Sequence, residues 1–125
     1  MREVKVLIVD DELDFATTLA ERLRLRGIEA HAVSGADEAM ARIQGGARPD
    51  VVLLDLKMPG IDGLATLNLI KQADATIEAI LLTGHGSTSA AIEGMRRGLF
   101  DYLMKPVDVG ELAQKVRKAA AKRGR

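Results

Sequence analysis

The stretch Val51-Val52-Leu53-Leu54-Asp55 places four consecutive branched apolar residues directly before a carboxylate. An almost uninterrupted apolar run of this length is typical of a parallel strand that is buried on both faces. Four further apolar runs lie on either side of it, at residues 4–9, 28–33, 79–82 and 100–104. The run at 28–33 is more polar than the others, which indicates an edge strand.

Segments with helical periodicity separate these runs. Ser34 is placed to cap the second helix, and Asp108 begins a capping-box pattern at the fifth. The fourth helix is expected to bury Ala91, Ile92 and Met95. Strand and helix thus alternate five times, which predicts an α/β fold of (βα)5 type. Its five-stranded parallel sheet is open and doubly wound, with helices on both faces.

The composition favours one folded domain in the 125 residues, with a core at about 4–120. Residues 121–125 are a basic tail or the start of a linker. No apolar stretch approaches the roughly 18 residues of a membrane span, and the first residues do not resemble a secretory signal. The absence of cysteine excludes a disulfide scaffold, a thiolate metal site and cysteine catalysis. We expect a cytoplasmic protein that does not contact a membrane.

Charge is distributed unevenly, although 18 basic and 18 acidic side chains balance overall. Basic residues predominate after residue 104 and acidic ones before it. We interpret the basic part as a solvated last helix. Direct binding of nucleic acid is not expected, because the acidic remainder would repel phosphate and the aromatic residues are only Phe15, Phe100 and Tyr102.

Polar side chains follow four of the five runs. Asp10 and Asp11 follow the first, Asp55 the third, Thr83 the fourth and Lys105 the fifth. Each has an ordinary interpretation alone: a helix cap for the acids, a turn residue for threonine, a solvated cation for lysine. Because the carboxyl ends of parallel strands share one edge of the sheet, all five are expected to meet in one crevice.

Such a set is suited to phosphoryl transfer. Three crowded carboxylates repel one another and require a counter-charge, which Mg²⁺ supplies while binding phosphate oxygens as well. Lys105 adds a second positive charge for an anionic ligand, and the hydroxyl of Thr83 adds a hydrogen-bond donor. Asp55 is the best candidate to accept a phosphoryl group, because it ends a central strand before a sharp turn.

Four segments together resemble the receiver domain of bacterial response regulators. They are Ile8-Val9-Asp10-Asp11-Glu12, Asp55-x-x-Met58-Pro59-x-x-Asp62-Gly63, Leu82-Thr83-Gly84 and Phe100-Asp101-Tyr102-Leu103-x-Lys105-Pro106. The match runs in order through nearly the whole chain, and the last segment is most similar to receivers of transcriptional activators. The resemblance implies a flavodoxin-like fold with strand order 2-1-3-4-5.

The resemblance also implies a metal site and a phosphoacceptor. Asp55 would accept the phosphoryl group, and it would bind Mg²⁺ together with Asp11. Asp10 would help through water, and the backbone carbonyl of Lys57 would be a further ligand. The side chain of Lys57 could extend over the mouth of the site, so no dephosphorylation rate is assigned. His85 is interpreted as a rim residue of the loop after the fourth strand.

A switch and its partners follow from the same resemblance. Lys105 would pair with the phosphoryl group and precede a cis peptide bond to Pro106, while Thr83 and Tyr102 would form the switch pair. The donor would be a sensor histidine kinase or a histidine phosphotransfer protein. The fourth helix, fifth strand and fifth helix would form the surface that controls an output domain or protein, with a phosphorylation-dependent homodimer as one form of output. The domain would not be an enzyme beyond its own phosphorylation and dephosphorylation.

Three other functions are weighed against this one. A flavodoxin-like electron carrier requires phosphate loops and aromatic walls that the sequence lacks. An aspartyl-phosphate phosphatase places two acids at alternate positions after its first strand, whereas Asp10 and Asp11 are adjacent. A phosphorylation-independent interaction module is disfavoured by the intact Asp55, Thr83 and Lys105. The cognate kinase, the signal, the oligomeric state and any domain beyond Arg125 stay open.

Overall fold

The fold is seen in a computed structural model that describes residues 3–56, 62–84 and 88–123. Strands and helices alternate through these ranges in the order β1 Lys5–Val9, α1 Leu13–Arg24, β2 Glu29–Val33, α2 Ala36–Gln44, β3 Val51–Asp55, α3 Gly63–Ala73, β4 Glu78–Thr83, α4 Thr88–Arg96, β5 Asp101–Met104 and α5 Val109–Arg123. The five strands form one parallel sheet in the order β2-β1-β3-β4-β5. The predicted fold class and strand order are confirmed.

Alternating side chains of the strands feed two apolar cores, one on each face of the sheet. The first core packs α1 and α5 against Ile8, Leu53 and Leu82. The second core packs α2 and α3 against Val9 and Leu54. Because β3 and β4 are buried along their whole length, the central strands have no solvent-facing side, as their unbroken apolar runs predict.

The register brings the carboxyl ends of the strands to a common level. Val9 pairs with Leu54, Asp55 pairs with Leu82, and Thr83 pairs with Met104. The residues that end or follow these strands therefore lie along one edge of the sheet, called here the carboxyl edge. No helix in the described ranges is long and apolar enough to cross a membrane.

Two details of the helices differ from expectation. The second helix is capped by Gly35 without a side-chain bond, and the Ser34 hydroxyl instead donates to Glu38. On α4, Ala91 is buried as expected, whereas the side chains of Ile92 and Met95 are exposed. Several apolar residues on a short helix define more than one stripe, so periodicity alone does not identify the stripe that faces the core.

The last helix is less solvated than its composition suggests. Asp108 caps α5 by accepting a hydrogen bond from the Glu111 amide at 3.0 Å, as predicted. At the other end of α5, the side chain of Arg123 is only 20% exposed and contacts Asp50 at 3.0 Å. Lys115 pairs with Asp101 as well. The interpretation of the basic residues as merely solvated is therefore wrong for these side chains.

Candidate functional site

Three carboxylates meet at the carboxyl edge. Asp10 and Asp11 follow β1, Asp55 ends β3, and one oxygen from each lies within 4.8 Å of the others. Asp10 and Asp55 are buried, at 1% and 8% exposure, whereas Asp11 is exposed. The cluster is therefore a recess with two acids at its base and one at its mouth.

The loop after β1 fixes Asp10 through its backbone and its side chain. The Asp10 amide donates to the Val33 carbonyl at 3.1 Å, which extends the pairing of β1 with β2. Its carboxylate accepts a hydrogen bond from the Glu12 amide at 2.9 Å. Asp10 thus holds the start of α1 with one oxygen and leaves the other for the site. The ordinary interpretation of Asp10 as a helix-start residue and the functional one are both compatible with this geometry.

Lys105 carries the positive charge of the recess. Its ammonium lies 3.2 Å from Asp10 Oδ2, 3.5 Å from Asp55 Oδ1 and 3.8 Å from Glu12 Oε1. The Lys105 amide donates to the Thr83 carbonyl at 2.8 Å, so the end of β4 fixes the position of the Lys105 backbone along the carboxyl edge. The peptide bond from Lys105 to Pro106 is cis.

Burial and charge change the acidity of the two groups that face each other. Burial raises the pKa of Asp55 above its ordinary value of 3.8, and the Asp10 carboxylate adds to the rise, although Lys105 opposes it. Burial alone would lower the pKa of Lys105, but the charge and hydrogen bond of Asp10 outweigh it, and the pKa is raised. Negative charge on Asp55 is therefore unfavourable in the recess, and a bound cation would compensate it.

The backbone of Asp55 is enclosed by the start of α3. Leu56 donates to the Leu82 carbonyl at 3.2 Å, and Gly63 donates to the Leu56 carbonyl at 2.9 Å. A Cβ atom at Gly63 would lie 2.5 Å from the Asp55 carbonyl oxygen. Gly63 is therefore required for close approach between α3 and β3. Asp62 caps α3 by accepting a hydrogen bond from the Ala65 amide at 2.8 Å.

Thr83 and Tyr102 lie on the same face of the sheet. Tyr102 pairs with Leu81, and Thr83 lies two residues further along β4, so the two side chains are diagonal neighbours. Thr83 is buried, whereas the ring of Tyr102 is 41% exposed. Lys105 lies three residues after Tyr102, and the alternation along β5 directs the two to opposite faces.

Two of the predicted site residues, Lys57 and His85, fall outside the described residues, and the sequence analysis missed two contributors to the site. Glu12 and Phe15 both contact the ammonium of Lys105, Phe15 through its ring at 4.4 Å. Glu12 was visible as the third acid of an acidic run, but Phe15 matched the ordinary apolar stripe of an amphipathic helix.

The donor set fits a hard divalent cation. Carboxylate oxygens are the ligands that Mg²⁺ prefers, and it requires only one or two of them besides water and phosphate oxygens. Three acids at this cluster, with Glu12 beside them, exceed the single charge of Lys105. A bound cation would relieve this excess, and the exposed position of Asp11 leaves a route for it to enter.

Comparisons with known proteins agree with this geometry. The family model described as "Response regulator receiver domain" matches residues 6–117. The regulatory protein AtoC of Escherichia coli is 35% identical over 115 residues, which are 92% of this chain and 25% of AtoC. The transcriptional regulator NtrC of Salmonella typhimurium is 36% identical over 114 residues, which are 91% of this chain and 24% of NtrC. The chain thus spans about a quarter of the length of these curated relatives.

A solved structure shows the same likeness over whole chains. A receiver domain protein from Clostridium thermocellum superposes with a TM-score of 0.90 at 32% identity, over 97% of each chain. The likeness therefore covers the carboxyl edge as well as the sheet that supports it.

Proposed function

We propose, from the premise that this chain belongs to the response regulator receiver domain family, that Asp55 accepts a phosphoryl group in a Mg²⁺-dependent reaction. Receiver domains are the regulatory domains of two-component systems. The single observation that supports the proposal is the recess itself: three acidic oxygens within 4.8 Å, with the Lys105 ammonium 3.5 Å from Asp55 Oδ1.

Each residue of the recess has a part in the transfer. A carboxylate oxygen of Asp55 forms a bond with phosphorus as the phosphorus–nitrogen bond of a phosphohistidine donor breaks, and the electron pair stays on the imidazole nitrogen. Lys105 neutralises the transferred oxygens from the side of Asp55 and Asp10. Asp11 and Asp55 would hold Mg²⁺, Asp10 would assist through water, and the ion would supply charge neutralisation and alignment. Lys57 would add its backbone carbonyl.

Thr83 and Tyr102 connect the recess to a surface. The phosphoryl group adds negative charge and acceptor oxygens, which attract the hydroxyl of Thr83. Movement of Thr83 vacates space on the face that it shares with Tyr102, and the exposed ring turns inward to fill it. The surface of α4, β5 and α5 then differs between the two states. The phosphoryl group must favour the inward state by about 5.5 kcal/mol for a shift from 1:99 to 99:1.

The partners follow from this reaction class. We infer that the protein acts in the cytoplasm, that a sensor histidine kinase or histidine phosphotransfer protein is the donor, and that an output domain or protein responds to the change. NtrC is named as a DNA-binding transcriptional regulator and AtoC as a regulatory protein, and this chain corresponds to about a quarter of each. Control of an output of that kind, with or without a phosphorylation-dependent homodimer, is proposed here by analogy.

Phosphorylation is tested by intact mass. Incubation with acetyl phosphate and Mg²⁺ should add one phosphoryl mass to the unaltered protein and none to Asp55→Asn. Asp37→Asn is the matched control, because Asp37 is an exposed acid on α2 away from the recess, and it should be labelled like the unaltered protein. Labelling of Asp55→Asn would contradict the assignment. No labelling of any variant would favour an interaction module, and turnover of phosphate esters would favour a phosphatase.

The switch is tested by amide NMR with beryllofluoride and Mg²⁺, which mimic the phosphoryl group. The unaltered protein should show shifts near Tyr102 and along α4, whereas Thr83→Ala should show them only around Asp55. Thr83→Ser is the control, since it keeps the hydroxyl. Equal distant shifts in Thr83→Ala would show that the coupling runs by another route.

A further inference from the structure

The ammonium of Lys105 is surrounded by groups that attract it in different directions. Asp10 and Asp55 lie 3.2 Å and 3.5 Å away inside the recess, and Glu12 lies 3.8 Å away with a side chain that is 70% exposed. The exposed carboxylate of Glu12 attracts the flexible lysine toward solvent, whereas Asp10 and Asp55 attract it into the recess. Carboxylates alone therefore do not fix it where a phosphoryl group arrives.

The Lys105 ammonium also contacts an aromatic ring. The Lys105 ammonium lies 4.4 Å from the centroid of the Phe15 ring. Phe15 lies in the first turn of α1, is half-buried and packs against the first apolar core. The negative face of an aromatic ring attracts a cation within about 6 Å, and the attraction is stronger where water is excluded. The Lys105 side chain is 17% exposed, so the contact is partly desolvated.

We propose that Phe15 is a positioning residue for Lys105: its ring holds the ammonium beside Asp55 and away from solvent, so that the charge is in place when the phosphoryl group is transferred. This role rests on the proposed function of Asp55 as the acceptor. Phe15 contributes no reacting atom, and its effect passes through Lys105. A ring at this place therefore sets the rate of transfer rather than its occurrence.

The chain contains its own control for mere packing. Phe100 is also half-buried, packs against the same apolar core, and has Lys122 at 6.0 Å from its ring centroid. Phe100 stands before β5, at the opposite end of that strand from Lys105. A change that removes the π attraction at Phe100 affects the fold in the same manner but leaves the recess alone.

Fluorination of the ring separates electrostatics from shape. Pentafluorophenylalanine keeps the ring and its apolar character but removes the negative face, and difluorophenylalanine removes part of it. At position 15, the initial rate of phosphorylation by acetyl phosphate with Mg²⁺ should fall about three- to tenfold for the pentafluoro ring, with the difluoro ring between. The same replacements at position 100 should leave the rate unchanged within twofold. Equal rates at both positions would overturn the proposal.

A second measurement does not depend on phosphorylation. The ε-methylene protons of Lys105 should be shifted upfield by the ring current of Phe15 in the unaltered protein, and Phe15→Leu should abolish the shift, while Phe15→Tyr should keep both the shift and the rate. No upfield shift in the unaltered protein would overturn the contact. If the unaltered protein is never labelled on Asp55, the proposed function fails and the positioning role with it, whereas labelling with a rate that ignores fluorination at position 15 overturns the positioning role alone.

Discussion

The two ends of the sheet differ in how far nearby cations compensate their acidic side chains. At the carboxyl edge, Asp10, Asp55 and Glu12 all contact Lys105, and Asp11 adds a further acid to the cluster. At the other end, called here the amino edge, three acids contact four cations: Asp50, Asp74 and Glu78 contact Arg48, Lys71, Lys122 and Arg123. The amino edge is neutralised from within the chain, whereas the carboxyl edge is arranged to receive charge from outside.

This difference separates a stabilising network from a binding site. At the amino edge, Arg123 joins the end of α5 to Asp50 and Asp74, so that it ties the last helix to two turns before central strands. Removing one partner of such a buried pair leaves the other charge uncompensated. At the carboxyl edge, removing one acid relieves repulsion instead. Neutralising an acid should therefore lower the free energy of unfolding at the amino edge and leave it unchanged or raise it at the carboxyl edge.

The largest effect is expected when one acid is neutralised at each end. Asp50 is 1% exposed and accepts hydrogen bonds from the Lys5 amide at 2.9 Å and from Arg123 at 3.0 Å. Asp50→Asn should lower the free energy of unfolding by about 3 kcal/mol. Asp55→Asn should leave it equal or higher, because the burial that raises the pKa of Asp55 penalises its charge.

Urea unfolding at pH 7 with a chelator present measures both variants. The unaltered protein is the reference, and Asp37→Asn on the exposed face of α2 serves as the control for loss of an acid. A drop of similar size for the substitutions at Asp50 and Asp55 would show that the two edges do not differ in charge balance.

At the carboxyl edge, an added Cβ atom should destabilise the fold more at Gly63, where the backbone is enclosed, than at Gly84, where it is open. A Cβ atom at Gly63 would lie 2.5 Å from the Asp55 carbonyl oxygen, whereas a Cβ atom at Gly84 meets nothing within 4 Å. Gly63→Ala should lower the free energy of unfolding by about 1–3 kcal/mol, because α3 must shift from β3. Gly84→Ala should change it by less than about 0.5 kcal/mol. Urea unfolding of the pair distinguishes them, and equal stability would show that α3 moves away without penalty.

The sequence predicted the carboxyl edge far better than the amino edge, and the reason is physical. Parallel strands must align their carboxyl ends, so Asp10, Asp55, Thr83 and Lys105 could be brought together from strand positions alone. The strand order came from resemblance. No comparable rule joins Arg123 to an acid 73 positions earlier, since the length and direction of α5 decide that contact.

Side-chain orientation on helices was the second limit. In the sequence, Phe15 is one apolar residue among several, and Ile92 and Met95 were expected to be buried. Their places depend on the rotation of α1 and α4 about their own axes, which a short apolar pattern leaves open. The sequence shows Gly63 only as the end of the Asp62-Gly63 motif, and its close approach to Asp55 becomes visible only when α3 and β3 are packed together.

A smaller effect is expected on the pH dependence of stability, through the ionisation of Asp74 at the amino edge. Asp74 has its pKa lowered from 3.8 to about 2, with the hydrogen bond from the Thr76 hydroxyl as the largest cause and Arg48 contributing. A carboxyl group whose pKa is lowered on folding stabilises the fold above its ordinary pKa, and this contribution is lost as the pH falls toward about 2. Asp74→Asn should therefore reduce the free energy of unfolding by about 1–2 kcal/mol at pH 7, with the difference shrinking below pH 4.

At the carboxyl edge, the ionisation of Asp55 should change the free energy of unfolding with pH in the opposite direction. Because the pKa of Asp55 is raised on folding, its ionisation weakens the fold, and stability gained from Asp55 should increase as the pH falls through that raised pKa. Urea unfolding of both variants from pH 3 to 7 gives the two slopes relative to the unaltered protein. Slopes of the same sign for Asp55→Asn and Asp74→Asn would contradict the comparison of the edges.

The smallest effect tests whether the excess charge of the carboxyl edge is held for a cation. Asp11 is exposed, so its repulsion of Asp10 and Asp55 is weakened by solvent, and Asp11→Ala should raise the metal-free melting temperature by a few degrees, or less than about 1 kcal/mol. Mg²⁺ binds the folded chain and not the unfolded one, so it should raise the melting temperature of the unaltered protein by mass action. The variant should lose most of that rise, because it lacks the acid at the mouth of the recess.

Asp14→Ala, in the first turn of α1 outside the cluster, is the matched control and should keep the full rise. A variant at Asp11 that melts lower without metal and keeps the Mg²⁺ effect would mean that the three acids do not share one cation, and the contrast between the two edges would then reflect fold stability alone.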